Sequence, residues 1–451
     1  MTVSHAPTFR RLSDDIIQTL DPPGRLYYGT IAVLLAFIGL GIYAFSYQVQ
    51  TGLGVAGYQH SVQWGIYITN FVFWIGITHS GTLISAVLFL FRAPWRTGVA
   101  RASEAMTVFA IMIGGLFPIV HLGRPYFFYY LMPYVNERQL WVNFRSPLIW
   151  DMFAILTYLT VSVTFLYIGL IPDMAELRHR VPGWRKRVYV ILSLGWVGSD
   201  RQWYHYMSLY GFLAALVIPL AVSVHSIVSW DFATTITPGW HSTIFAPYFV
   251  SGAIFSGVAM MITLLIPLRM LFGLDLYMTR LHFENLGKLL LTMSLIMGYA
   301  YGMEFFTAWY SGNIFERDTF LDRVSGQYAP FTWVMLICNV VFPLLLFRKR
   351  IRTHLGTLFA ISVAALIGMW LERYVIVVSS LSRGVDPAAW GELYQPTWVE
   401  ASLTAASFAG FFLLFLVFVK VFPCISISEL KEGAGERQDL DKPVTAIPEP
   451  V

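Results

Sequence analysis

The sequence predicts an all-α polytopic membrane protein of ten transmembrane helices, and three observations carry the prediction. The chain is 57% hydrophobic and 12% charged, whereas soluble domains are about one quarter charged. Its mean hydropathy is +0.62. Runs close to the roughly 20 apolar residues that cross a bilayer recur ten times, at 26–48, 64–91, 103–122, 147–171, 206–229, 246–268, 287–310, 330–347, 354–378 and 399–422. Most hold Gly or Pro, which membrane helices tolerate. Residues 1–24 then form an arm, 25–422 the membrane domain, and 423–451 a polar tail that reads as disordered.

Sidedness follows from the basic residues. Of the 30 Lys and Arg, 22 fall in the arm, the tail and the connections on one face, and six on the other. The positive-inside rule places the basic face, with both termini, in the cytoplasm of a bacterial inner membrane. This bias accounts for the net charge of +4, and no basic run is interleaved with aromatics as a nucleic-acid surface requires. The first apolar run is long enough to span and lacks a small-residue cleavage site, so no removable signal peptide is read. The two cysteines, Cys338 and Cys424, offer neither a disulfide framework nor a cysteine-rich metal site.

In chain order, Asp21-Pro-Pro-Gly24 breaks the arm before span 1. Span 2 carries Asn70, Thr78, His79, Ser80 and Gly81 near mid-bilayer, where small residues permit close helix approach. His79 reads either as a packed histidine or as part of a proton relay. Span 3 ends at His121-Leu-Gly-Arg-Pro125, and span 4 opens at Pro147, a good first helical residue because it lacks the N–H that would go unpaired. Spans joined by a loop are antiparallel neighbours, so His121 and Asp151 can face each other at similar depth on the outer face. Ionisable residues there are costly and imply a role. The intervening loop is rich in aromatics and includes Arg124, Trp141 and Arg145, and arginines on a translocated face suit an anionic or carbonyl group.

Span 4 leads into a long basic loop. Span 5 holds His225 and precedes a second aromatic loop, from Trp230-Asp231 through Pro238-Gly-Trp-His241 to Tyr248. Glu304 lies in span 7 and Glu372-Arg373 in span 9. Adjacent helical residues project about 100° apart, so Glu372 and Arg373 each need a partner on another helix, with Glu304 or His225 as candidates. His79, His225, Glu304, Glu372 and Arg373 form either a structural network or a proton path, continued toward the basic face by groups such as His205, Glu284 and Lys288. Spans 2 and 6 both carry Ser-Gly, at 80–81 and 256–257, which suggests two four-helix bundles, spans 2–5 and 6–9, flanked by spans 1 and 10.

His121-Leu-Gly-Arg-Pro, Phe144-Arg-Ser-Pro-Leu-Ile-Trp-Asp151, and Val224-His-Ser-Ile-Val-Ser-Trp-Asp231 with Pro238-Gly-Trp-His-Ser-Thr-Ile-Phe resemble the NrfD/polysulfide-reductase membrane-subunit family. Within it the chain looks most like the ten-helix, quinol-binding subunit of bacterial alternative complex III, the ActC type. The resemblance implies two four-helix bundles and a quinone or menaquinone pocket near the outer face. By position, the family's pocket histidine and aspartate fall on His121 and Asp151. Arg124, Arg145, Trp150, Asp231 and His241 are expected to line or close that pocket. The implied partners are an outer iron–sulfur subunit, multi-haem cytochrome c subunits and a second NrfD-like membrane subunit.

The residues fit a quinol-oxidising subunit because oxidation releases two protons, which need bases within hydrogen-bond reach. The electrons must leave to another chain, because this one has no cysteine cluster or haem-attachment motif. Three readings stand beside it. One is a quinone-reactive membrane anchor of a polysulfide-reductase-like molybdoenzyme. Another is a b-type cytochrome, although no helix pairs histidines at haem-ligating spacing. The third is a secondary transporter, although the charged groups cluster toward the outer face rather than the midplane.

Overall fold

The computed structural model describes residues 9–133, 144–383 and 393–432. Trp141 and the tail beyond residue 432 lie outside them. Among the described residues, ten helices are long and apolar enough to cross a membrane: Arg25–Thr51, Ile66–Leu90, Ala100–His121, Pro147–Leu177, Asp200–Ala233, Phe245–Phe272, Arg280–Tyr310, Ala329–Phe347, Leu355–Ser382 and Trp398–Val421. They are spans 1 to 10. No strand occurs among the described residues.

Spans 2, 3, 4 and 5 pack as one ring of four and spans 6, 7, 8 and 9 as another. The rings meet where span 2 crosses span 6, with span 5 also against span 6 and span 9 against span 2, so corresponding helices make corresponding contacts. Span 1 pairs with span 10, and span 10 leans on span 3. Small residues make the central crossing possible, since lipid gives no hydrophobic drive for helix association and close backbone approach must supply it. Gly76 faces the Ser256 Oγ, and a Cβ on Gly257 would come within 3.0 Å of the Ile77 carbonyl while striking Ser80.

Several helices run past the ends predicted from hydropathy. Span 4 continues through Pro172 and Asp173 to Leu177, and span 5 begins at Asp200 under a Ser199 capping box and ends at Ala233. Trp230 and Asp231 therefore sit on the last turn of a helix rather than in a loop. Between spans 7 and 8 a helix, Ile314–Ser325, is capped by Asn313, whose side chain accepts from the Phe315 and Glu316 amides. On the basic face the arm helix Phe9–Gln18 buries Leu12 and Ile16. The first ten residues of the tail correct the expectation of disorder. Cys424, Ile425 and Ile427 are buried, and Glu429 pairs with Arg96 at 2.9 Å. Those apolar residues interrupt an otherwise polar segment, and their burial holds it.

Candidate functional site

The expected site lies where spans 3, 4 and 5 end on the face opposite the basic loops. Span 3 closes with His121, and Gly123 turns the chain with φ +68°. A side chain there would be strained, and its Cβ would meet Leu53 Cδ1 at 2.8 Å, so the loop after span 1 folds against this turn. That loop delivers Tyr58, whose hydroxyl lies 2.8 Å from His121 Nδ1, the two rings being edge to face at 5.7 Å. Gln48 at the end of span 1 ties the group together. It donates to the Val120 carbonyl at 2.9 Å and accepts from the Tyr67 hydroxyl. Tyr58 lies outside the spans, and burial, with Tyr67 and Glu400 close by, pushes its phenol up from the ordinary range. It stays a hydroxyl.

Asp151 does not pair with His121. Its buried carboxyl lies beside the buried carboxyl of Asp231 from span 5. One oxygen of each is buried with no hydrogen-bond partner among the described residues. Trp150 lies beside the pair at an exposed position, donates to the Phe144 carbonyl at 2.7 Å and stands edge to face with Trp230. Arg124 is exposed. His241 is exposed and its Nδ1 lies 2.9 Å from the Thr235 carbonyl. Arg145 is exposed but not free of contacts.

Below the carboxyl pair a column of polar groups descends through the first bundle. His225 is fully buried with its ring 4.6 Å from that of His79, which stacks at 5.0 Å on Tyr158. His79 Nδ1 lies 2.5 Å from the Ile75 carbonyl, and its Nε2 has no partner among the described residues. The Tyr158 hydroxyl meets Thr82 at 2.6 Å. One turn on, Ser85 donates to Glu104 at 2.7 Å, as does Tyr210 at 2.8 Å. Arg101 bridges Glu104 at 3.3 Å and Asp173 at 3.2 Å, and Asp173 also accepts the Ser428 amide of the tail.

The second bundle has its own cluster. Glu372 accepts from Tyr301, and Asn339 donates to the Tyr301 hydroxyl at 2.8 Å. Arg373 approaches Glu372 at 3.1 Å and lies 4.3 Å over the Phe249 ring. No hydrogen bond joins the two among the described residues, and each has a partner on another helix, Tyr301 of span 7 for Glu372 and Phe249 of span 6 for Arg373, in place of the expected Glu304 or His225. Glu304 is buried in the same bundle. Arg323, from the loop helix, donates to Ser379 and Ser380.

His205 is exposed and takes no part in either cluster, while Glu284 and Lys288 belong to a surface ion-pair group with Arg352. The inward residues are instead Tyr158, Thr82, Ser85, Glu104, Arg101 and Asp173. Their sequence signal is a set of charges interrupting apolar helix ends. Tyr58 carries no comparable signal. A cavity of about 630 Å³ opens on the basic face between Pro172, Trp196, Trp203 and Ser428, at the other end of span 4 from Asp151.

The family described as Polysulphide reductase, NrfD matches residues 54–383, and the chain belongs to it. A Halobacterium salinarum protein named as a putative dimethyl sulfoxide reductase membrane subunit is 27% identical over 412 residues, covering 86% of this chain and 89% of that one. A selenate reductase subunit of Mesobacillus selenatarsenatis is 23% identical over 426 residues, covering 88% and 94%.

Proposed function

We propose that this chain is the quinone-reactive membrane subunit of a molybdoenzyme-type reductase, oxidising quinol at the His121 face. The observation that carries the reading is that a part-exposed His121 and the buried carboxyls of Asp151 and Asp231 stand at the ends of neighbouring spans on one face of a family member. Such groups can hydrogen-bond a quinol's oxygens and take its protons. Two cysteines in the whole sequence cannot hold a four-cysteine cluster, so the electrons pass to a redox centre on a partner. Arg124, Arg145, Trp150 and His241 form the rim, and menaquinol is one candidate substrate.

The names of the relatives support this reading over an ActC-type subunit of alternative complex III, which would bring multi-haem cytochrome c subunits and a second NrfD-like chain. The basic face is assigned to the cytoplasm of a bacterial inner membrane by its charge. Purification of the native complex tests all of this. Co-purification with a molybdenum and iron–sulfur subunit, and quinol-dependent reduction of an oxyanion or S-oxide acceptor, are expected. A multi-haem partner would return the chain to alternative complex III. Solute uptake by this chain alone, with no quinol turnover in any assembly, would overturn both.

A further inference from the structure

The quinol reading leaves open which group takes the proton. Tyr58 bears on that choice. A neutral imidazole carries one N–H, and whichever nitrogen lacks it is an acceptor. Among the described residues the Tyr58 hydroxyl has one hydrogen-bond partner, His121 Nδ1 at 2.8 Å. An imidazole nitrogen is a better acceptor than a phenol oxygen, and a phenol O–H is a better donor than an imidazole N–H. The hydrogen between them therefore belongs to Tyr58, and His121 Nδ1 accepts it. The ring hydrogen is then on Nε2, the nitrogen left for a ligand at this part-exposed position.

We propose that Tyr58 is a positioning residue that locks His121 in its Nε2–H tautomer, so that His121 donates a hydrogen bond to a quinol oxygen while the Asp151–Asp231 pair takes the proton. The inference rests on the quinol reading and divides the labour within it. Transfer breaks a quinol O–H bond, leaves its electron pair on the oxygen, and forms an O–H bond on a carboxylate oxygen of the pair. The His121 Nε2–H stabilises negative charge on the quinol oxygen without changing its own protonation, as donors aimed at a developing oxyanion do. Gln48, bonded both to the Val120 carbonyl and to Tyr67, fixes the backbone that carries the ring.

The roles separate in steady-state kinetics of the intact complex with a short-chain quinol. Tyr58→Phe frees the tautomer and removes about one hydrogen bond's worth of binding, so KM should rise about tenfold with kcat within about twofold. His121→Gln keeps an N–H donor but cannot accept a proton, and it should retain most of the turnover that His121→Ala loses. Asp151→Asn should lower kcat with little change in KM. Combining Tyr58→Phe with His121→Ala should cost no more than His121→Ala alone, because Tyr58 acts through His121. A His121→Gln complex as inactive as His121→Ala would make His121 the base and overturn the proposal. So would a Tyr58→Phe complex with unchanged KM, or one whose defect adds fully to that of His121→Ala. Wild-type quinol turnover in both His121→Ala and Asp151→Asn would instead sink the quinol reading itself.

Discussion

A single residue step along a helix separates residues that serve the column from residues that face outward. On span 5 Tyr206 and Tyr210 are buried against Glu104 and its neighbours while His205 is exposed, and the 100° step between consecutive residues is the whole difference. Asp151 shows what such placement is worth. Replacing it by Asn should reduce quinol oxidation by about 10²–10⁴-fold, the range of a lost acid–base group, with the complex still assembled, as read by turnover and gel filtration of the same preparation. Full turnover in the assembled variant would remove Asp151 from the site. His121 and Asp151 are legible in the sequence because two ionisable groups stand at the margins of apolar runs. Their partners are not. Tyr58 lies in a loop whose path is set by Gly123 and Leu53, and Asp231 reads as loop because hydropathy does not carry a helix past a tryptophan and a carboxylate.

Helix ends repeat the pattern one level up. Hydropathy cuts a span where charges begin, so spans 3 and 4 are drawn short at the places where Arg101 and Asp173 turn inward and pair with each other beside Glu104. Arg101, Glu104 and Asp173 are each no more than 2% exposed. Removing the cation alone leaves two facing carboxylates, so Arg101→Met should destabilise the protein by about 3–5 kcal/mol. Adding Glu104→Gln and Asp173→Asn should recover much of that loss, measured as the fraction folded in mild detergent on heating. A triple variant no more stable than Arg101→Met would show that the hydrogen bonds matter and the charge balance does not. The crossing of spans 2 and 6 makes a second demand on an element. Gly257→Leu places a branched side chain on Ser80 and should abolish accumulation of the folded chain. Gly39→Leu, at a glycine with no atom of the chain near its missing Cβ, should be neutral.

At the scale of the whole molecule the two rings share a plan and differ in content. The first carries a series of hydroxyl, imidazole and carboxyl groups between Asp231 and Asp173, interrupted at His225, whose ring nitrogens have no hydrogen-bond partner among the described residues, and the second holds Glu304, Glu372 and Arg373 in one bundle. If quinol turnover drives proton translocation, the first series is the better route. In proteoliposomes Tyr158→Phe should then suppress proton movement and spare electron transfer, whereas Glu304→Gln should lower stability and leave the proton-to-electron ratio unchanged. The opposite pattern would assign the path to the second bundle. The repeat is only faint in sequence because the Ser-Gly pairs mark backbone proximity, and everything else in the two halves has been fitted to different neighbours. The pairing of span 1 with span 10 has a further consequence, for biogenesis. Span 1 buries only 11% of its apolar window within the folded chain, and its principal partner is span 10, which is made long after it. At roughly 5–20 residues per second of synthesis, the ribosome needs on the order of half a minute to deliver span 10. Throughout that interval span 1 must wait in lipid or against an insertion factor, which makes span 10 the clasp that fastens it to the rest.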